Sequence, residues 1–264
     1  MAASSNLLEG KTAVITASGS GIGFSIATQL AEAGAHIVLN DIDADALASA
    51  ADRLSEIDPS VEAVVADGSV PAEMDRVIDR AIDTHDSLDI LVNNIGIAGP
   101  TKPCQDLSYE EFMGTIETNL GSLFNATSRA IPHLSSGEYG RVINLSSMTG
   151  KRPLVDRTPY TTAKMGVIGF TRTLAVELAE EDVTVNAVCP GSVAGPRLEA
   201  VIEGQAESQG RPYADVEEEF LSVSPMKQFV QPEDIASLVV FLCSKKADRI
   251  TGQDINVTAG VAMY

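Results

Sequence analysis

The stretch TAVITASGSGIGFSIATQLAEAG, residues 12–34, joins two kinds of pattern without a break. TAVIT (12–16) is a short apolar run, and from Gly21 onward the apolar positions recur at helical spacing. A strand passing straight into a helix is predicted, with a glycine-rich turn between them. Gly19, Gly21 and Gly23 let that turn be tight and let backbone N–H groups approach a ligand at the positive end of the helix. A packing turn has use for the same glycines. Their place after a strand and before a helix favours a pyrophosphate cradle, with Ser18, Gly19, Ser20, Gly21, Ile22 and Gly23 as candidate contacts.

The next residues extend the unit. HIVLN (36–40) reads as a second strand, and Asp41 falls at its end, 18 residues beyond Gly23. A carboxylate there accepts hydrogen bonds from the ribose hydroxyls of an adenosine and repels a 2′-phosphate. No Arg or Lys stands nearby, since the loop offers Ser18 and Ser20 and Asp41 is followed by Ile42 and Asp43. NAD rather than NADP is the expected cofactor.

The alternation continues to the end of the chain. EAVVA (62–66), LDILVNN (88–94), RVINLS (141–146), VTVNAVC (183–189) and DINV (254–257) read as further strands. Helices are predicted over 21–33, 43–57, 71–85, 108–135, 158–180 and 232–244. Asp43, Ser108 and Thr158 suit N-caps, while Pro71 and Pro232 suit first-turn positions. Nearly continuous apolar strands alternating with helices imply an α/β fold, a doubly wound parallel sheet of about seven strands with helices on both faces. No repeat or linker interrupts residues 1–264, so one domain is expected. Residues 195–230 break the rhythm, mixing two short amphipathic helices with Gly, Pro and polar residues after a strand end. Ligands of doubly wound sheets bind at that edge, which makes 195–230 a candidate substrate lid or, alternatively, a surface decoration.

Composition narrows the function classes. The formal charge is −19, from 18 basic and 37 acidic side chains. That field opposes nucleic acid and anionic membranes. No apolar run approaches the ~20 residues of a membrane span. The opening MAASSNLLEGKTAVIT shows no secretory signal pattern, and the single, widely spaced Cys104, Cys189 and Cys243 fit a reducing cytoplasm. The acids are dispersed along the chain (Glu180, Glu181, Asp182; Glu217, Glu218, Glu219). Such a composition suits a chain adapted to high salt, or an ordinary acidic cytoplasmic enzyme. No cluster of His, Cys or carboxylates suggests a metal, and His133 reads as a helix-surface residue.

Tyr160 and Lys164 lie four residues apart, with Ser147 thirteen before the tyrosine. Four-residue spacing puts the pair on one helix face. A lysine ammonium held beside a phenol favours the phenolate, which suits proton exchange. A plain surface pair would have the same spacing.

Taken in order, these motifs resemble those of the short-chain dehydrogenase/reductase family of single-domain Rossmann enzymes, from Lys11 to about Val261. TASGSGIG is similar to the family's glycine loop, with Thr16, Gly21, Ile22 and Gly23 matching and Ala17 in place of the first glycine. Asp67 with Gly68 matches the position that contacts adenine. NNIG (Asn93–Gly96) resembles the family's Asn-Asn-Ala-Gly, which makes Asn94 a cofactor residue, and Ile95 is expected to tighten the nicotinamide-ribose side. CPGSV (189–193) is similar to the segment that passes the nicotinamide, so Val193 is expected to touch it. Gly195 stands where a threonine is frequent, and TAG (258–260) stands where Asp-Gly-Gly is common.

The resemblance implies hydride transfer between a secondary alcohol or ketone and NAD. Tyr160 would be the general acid/base, Lys164 would assist it and hold the nicotinamide ribose, and Ser147 would bind the reacting oxygen. Asn119 would link the lysine through water to solvent. It also implies a homo-oligomer, a dimer or tetramer, built through the segments near 108–135 and 158–180. Arg152, Arg157 and Arg197 could grip a carboxylate, and polar side chains in 97–105 and 192–209 could grip neutral sugars. The reading that results is a dehydrogenase of a sugar, sugar acid or similar hydroxylated small molecule, in carbohydrate metabolism. The alternatives are a 3-oxoacyl-acyl-carrier-protein reductase and a non-catalytic NAD-binding sensor.

Overall fold

The computed structural model describes residues 7–137 and 139–264, with residues 204, 205 and 208 described by their backbone alone. Residues 1–6 of the segment read for a secretory signal lie outside the described residues, as do the side chains of Gln205 and Ser208. Among the described residues the strands are β1 (Thr12–Ile15), β2 (His36–Asp41), β3 (Glu62–Val65), β4 (Ile90–Asn93), β5 (Gly140–Leu145), β6 (Val183–Pro190) and β7 (Asp254–Val257). They form one seven-stranded sheet in the order β3-β2-β1-β4-β5-β6-β7, every neighbouring pair parallel. The predicted strands and these agree to within two residues at each end.

The helices divide between the two faces, as apolar strands buried on both sides require. α1 (Gly21–Glu32), α2 (Ala44–Leu54) and a late helix, α9 (Pro232–Cys243), pack Ile26, Leu30, Leu47, Leu54, Val239 and Leu242 into one core. α3 (Pro71–His85), α5 (Ser122–Leu134) and α6 (Thr158–Glu177) pack Met74, Val77, Ala126, Leu134 and Leu174 into the other. The predicted starts hold where chemistry fixes them. Asp43 accepts from the N–H groups of Asp45 and Ala46, Ser108 closes a capping box with Glu111, and Pro71 and Pro232 open their helices. Thr158 is a correction: it is already helical, and Arg157 occupies the cap position without a capping hydrogen bond.

A second correction carries more weight. The single helix predicted over 108–135 is α4 (Tyr109–Ile116), a π-helical turn at Glu117–Gly121, and then α5. One wider turn inserts a residue, and such turns recur at functional sites. The 195–230 region folds as α7 (Pro196–Gln209) and α8 (Tyr213–Ser222) around a small cluster of their own, Ile202, Ala206 and Val216. Cys189 and Cys243 are buried and Cys104 is exposed, all three as free thiols.

Candidate active site

Winding reverses between β1 and β4, and the crevice at the carboxyl ends of those strands is where doubly wound sheets take ligands. The glycine loop fills the floor of that crevice. Thr16 Oγ1 accepts from the Asn94 N–H at 2.9 Å, and Asn94 Nδ2 donates to the Ala17 carbonyl at 2.8 Å, tying the loop to the end of β4. A Cβ on Gly23 would fall 2.6 Å from Asn94 Nδ2 and closer still to the Ala17 oxygen, so the close approach requires glycine. Ser20 caps α1 without a side-chain hydrogen bond, and nothing lies within 4 Å of the Cβ position of Gly21. The helix therefore presents open first-turn amides, the setting that suits an anion. Ser18 does not share it. Its hydroxyl is fully buried, donating to Ile15 and accepting from the Asn40 N–H at 3.0 Å, so it fastens β1 to β2.

Asp41 accepts from the Gly19 N–H at 2.9 Å and from the Asp43 N–H at 3.1 Å, which leaves carboxylate lone pairs for a ribose. Asp67 accepts from the Ser69 N–H at 2.9 Å and from its hydroxyl at 2.8 Å, a local turn that sets the end of β3. A Cβ on Gly68 would overlap Cδ1 of Ile95. The larger residue at 95 thus fills the space that a bare glycine at 68 leaves, toward Ser122. Cδ1 of Ile95 packs against Gly68, beyond the end of β3. Val193 pairs with Val230 in an isolated parallel bridge just past β6 and packs on the first core, partly buried.

The corner of Ser147, Tyr160 and Lys164 lies on the other side of β4. Ser147 follows β5 in extended backbone and accepts from the Thr149 N–H at 3.1 Å. Ser146 donates to the Lys164 carbonyl at 2.8 Å, which fixes the serine segment against α6. Lys164 is buried. Its Nζ donates to the Leu145 carbonyl at 2.9 Å and stands 5.8 Å from the Tyr160 ring centroid. Burial, with the Arg197 charge adding to it, pulls the ammonium down to about 8. Asn119 sits in the π turn and donates to the Thr115 and Ile97 carbonyls at 2.9 and 3.1 Å. Its Oδ1 is buried without a partner, and a Cβ on Gly96 would lie 2.7 Å from that oxygen and 3.0 Å from Lys164 Nζ. The π turn, absent from the sequence reading, is what carries Asn119 to the lysine.

The three candidate arginines separate. Arg157 lies 5.0 Å from the Tyr160 ring centroid and donates to Thr101 Oγ1 at 2.6 Å. Arg197 opens α7, close enough for its charge to act on Lys164 and Arg157. Arg152 is exposed, and among the described residues no side-chain hydrogen bond or ion pair joins it to the corner.

A glycine cradle at the switch point, an acid at the end of β2 and a half-buried Tyr160 beside a buried Lys164 form a Rossmann-type site. Residues 16–262 match the family model described as enoyl-(acyl carrier protein) reductase. D-beta-hydroxybutyrate dehydrogenase of Rhizobium meliloti is 38% identical over 253 residues, 95% of this chain and 98% of that protein. The structure of NAD+-bound xylitol dehydrogenase superposes with a TM-score of 0.90 at 26% identity, covering 96% of this chain and 99% of that one. L-sorbose reductase from Gluconobacter frateurii, solved with NADPH and L-sorbose, superposes at 0.93 and 29% identity over 99% of this chain and all (100%) of that one. The chain belongs to the short-chain dehydrogenase/reductase family. It is an oxidoreductase that acts on hydroxyl and carbonyl groups with a nicotinamide cofactor.

Proposed function

We propose that this enzyme oxidises a secondary alcohol of a sugar, sugar acid or related small hydroxy compound, with NAD as cofactor. The observation that carries the reading is Lys164: a buried ammonium beside Tyr160, costly to keep and without a carboxylate to neutralise it. The open amides of α1, the glycine cradle and the free lone pairs of Asp41 fit a dinucleotide, which Ser20, Gly21, Ile22, Asp41, Asp67 and Asn94 would hold. When bound, a nicotinamide supplies the carbon that accepts or returns hydride. Tyr160 then takes the hydroxyl proton onto its phenolic oxygen, and Ser147 donates to the substrate oxygen where charge builds. Lys164 steadies the charge on the phenolic oxygen. Asn119 Oδ1, without a donor among the described residues, accepts from a water that returns the proton to solvent.

Replacing Tyr160 by Phe should lower turnover by about 10²–10⁴-fold while dinucleotide binding stays within about twofold. Near-wild-type turnover sinks the assignment. The Asp41 carboxylate supports NAD over NADP, and comparing kcat/KM for the two dinucleotides tests it. A cytoplasmic location agrees with the free thiols Cys104, Cys189 and Cys243.

The exposed apolar side chains Met113, Phe124, Met165 and Val176 on α4, α5 and α6 support a dimer or tetramer, which light scattering would weigh. The net charge of −19 supports adaptation to high salt, in which case the melting temperature rises from low to molar KCl. Residues 195–230, with a small core of their own, suit a lid over the substrate. The family model's acyl-carrier description favours a second reading, acyl-carrier reduction, which the acidic surface opposes by repelling an acidic carrier protein.

A further inference from the structure

Among the described residues, nine of the fifteen Lys and Arg side chains elsewhere in this acidic chain lie within 4.0 Å of a carboxylate. Lys11 pairs with Asp89, Arg141 with Asp248, and Lys151 and Arg172 share Asp254. The corner around Tyr160 is different. Arg157, Arg197 and Lys164 gather there, and among the described residues no carboxylate lies within 4.0 Å of any of them. Arg157 is half-buried between the Tyr160 ring and the Thr101 hydroxyl, which holds its guanidinium beside the phenol. Arg197, exposed in the first turn of α7, stands close enough for its charge to act on Arg157 and Lys164. Burial pulls the Arg157 guanidinium below its usual range and the Arg197 charge adds to that, opposed by the Tyr160 phenol and by no carboxylate. Three like charges converging without a counterion are unfavourable until an anion enters.

We propose that Arg157 and Arg197 form a carboxylate subsite, so that the substrate is a short hydroxy acid held by its carboxylate between them while its hydroxyl lies at Tyr160 and Ser147. The assignment rests on the reading of Tyr160 as the proton acceptor given above. A guanidinium presents two parallel N–H donors, the geometry a carboxylate accepts. With the Arg157 guanidinium carbon only 5.0 Å from the Tyr160 ring centroid, a few carbon atoms bridge the two ends.

The test pairs each of a series of 2-, 3- and 4-hydroxy carboxylic acids and aldonic acids with its neutral amide, using NAD and the full chain. Wild type should prefer the acid at least tenfold in kcat/KM. That preference should collapse in Arg157→Met and in Arg197→Met, and Arg157→Lys should restore part of it. A second readout needs no turnover: a simple carboxylate lacking the hydroxyl should perturb the fluorescence of bound NADH saturably in wild type and not in either Met variant. Acid and amide oxidised equally well by wild type would overturn the subsite and leave the Tyr160 reading standing. Carboxylate binding that is lost in both variants, with no turnover of any alcohol by wild type, would keep the subsite and overturn the reading. An Arg197→Met variant that weakens dinucleotide binding without substrate, and leaves the acid preference intact, assigns Arg197 to the cofactor phosphate and overturns the pair.

Discussion

Two corners meet in this crevice, and they are built by opposite means. The corner made by residues 16–23 is backbone work: glycines, amides and carbonyls, closed by Thr16 and Asn94 through neutral hydrogen bonds of 2.8–2.9 Å. The corner made by Ser147, Tyr160 and Lys164 is side-chain work, with a buried ammonium at its centre. The first is shaped by what is missing, the Cβ atoms that would collide. The second holds a charge whose burial the fold does not compensate with a carboxylate. Geometry that binds therefore costs this protein little, whereas the lysine proposed to assist proton transfer costs it stability.

The largest effect is expected from disturbing the first corner at Gly23. A methyl group there meets Asn94 Nδ2 at 2.6 Å and the Ala17 carbonyl oxygen more closely, and both are locked in a hydrogen bond with each other. Neither can yield without opening the link between the loop and β4. Gly23→Ala should lower stability by about 1–3 kcal/mol, the usual range for overpacking. Dinucleotide affinity should fall by at least tenfold as well, because the amides of α1 shift with the loop. Denaturant melts and a dinucleotide titration check both. A variant with unchanged binding would mean that the loop is not held by shape.

The difference between the corners also explains what could be read from sequence. Backbone rules are local, so TAVIT, the glycines and Asp41 revealed the strand, turn and acid in sequence order. The parallel, doubly wound sheet followed, because nearly continuous apolar strands alternating with helices need cover on both faces. Asn119 was assigned through resemblance alone. Its position depends on a π turn at Glu117–Gly121, and helical periodicity does not register one inserted residue in a long helix. The packing of Ile95 was illegible for a related reason: it fills space at Gly68, far away in sequence. The arginines show the same limit. Arg152, Arg157 and Arg197 are equivalent as letters, and only the packing of Arg157 on Tyr160, with α7 folding back, separates two of them from the third.

Lys164 sharpens the contrast from the other side. Its ammonium falls from 10.5 to about 8 on burial, so between those values the unfolded chain holds the proton more often than the folded one. Stability contributed by this group therefore rises with pH from about 8 toward 10.5, and at neutral pH its burial is a net cost. Lys164→Met removes the charge but leaves the Leu145 carbonyl without its donor. The balance should be a gain of about 1–2 kcal/mol at pH 7, shrinking as pH rises from about 8 to 10.5, with turnover lost. Thermal melts across that range, beside an activity assay, read both signs. A variant less stable than wild type at pH 7 would show that the buried lysine is structural, and the contrast between the corners would fail.

The smallest effect belongs to Ala17, where the backbone corner carries a strain of its own. Ala17 sits at φ +50°, in the left-handed region, and it stands where the resembling motif has glycine. An L-residue there costs roughly 1–2 kcal/mol, and glycine returns about 0.4–1 kcal/mol of that through the freedom it adds to the unfolded chain. Ala17→Gly should therefore stabilise by about 0.5 kcal/mol, a rise of roughly 1–2 °C in melting temperature for a domain of this size. Dinucleotide affinity should hardly change, because the Ala17 carbonyl already receives the Asn94 side chain at 2.8 Å and the loop is in place. If affinity rose more than threefold, the loop of the native chain would be reshaped by the cofactor rather than waiting for it. The corner built of backbone would then be the one that moves.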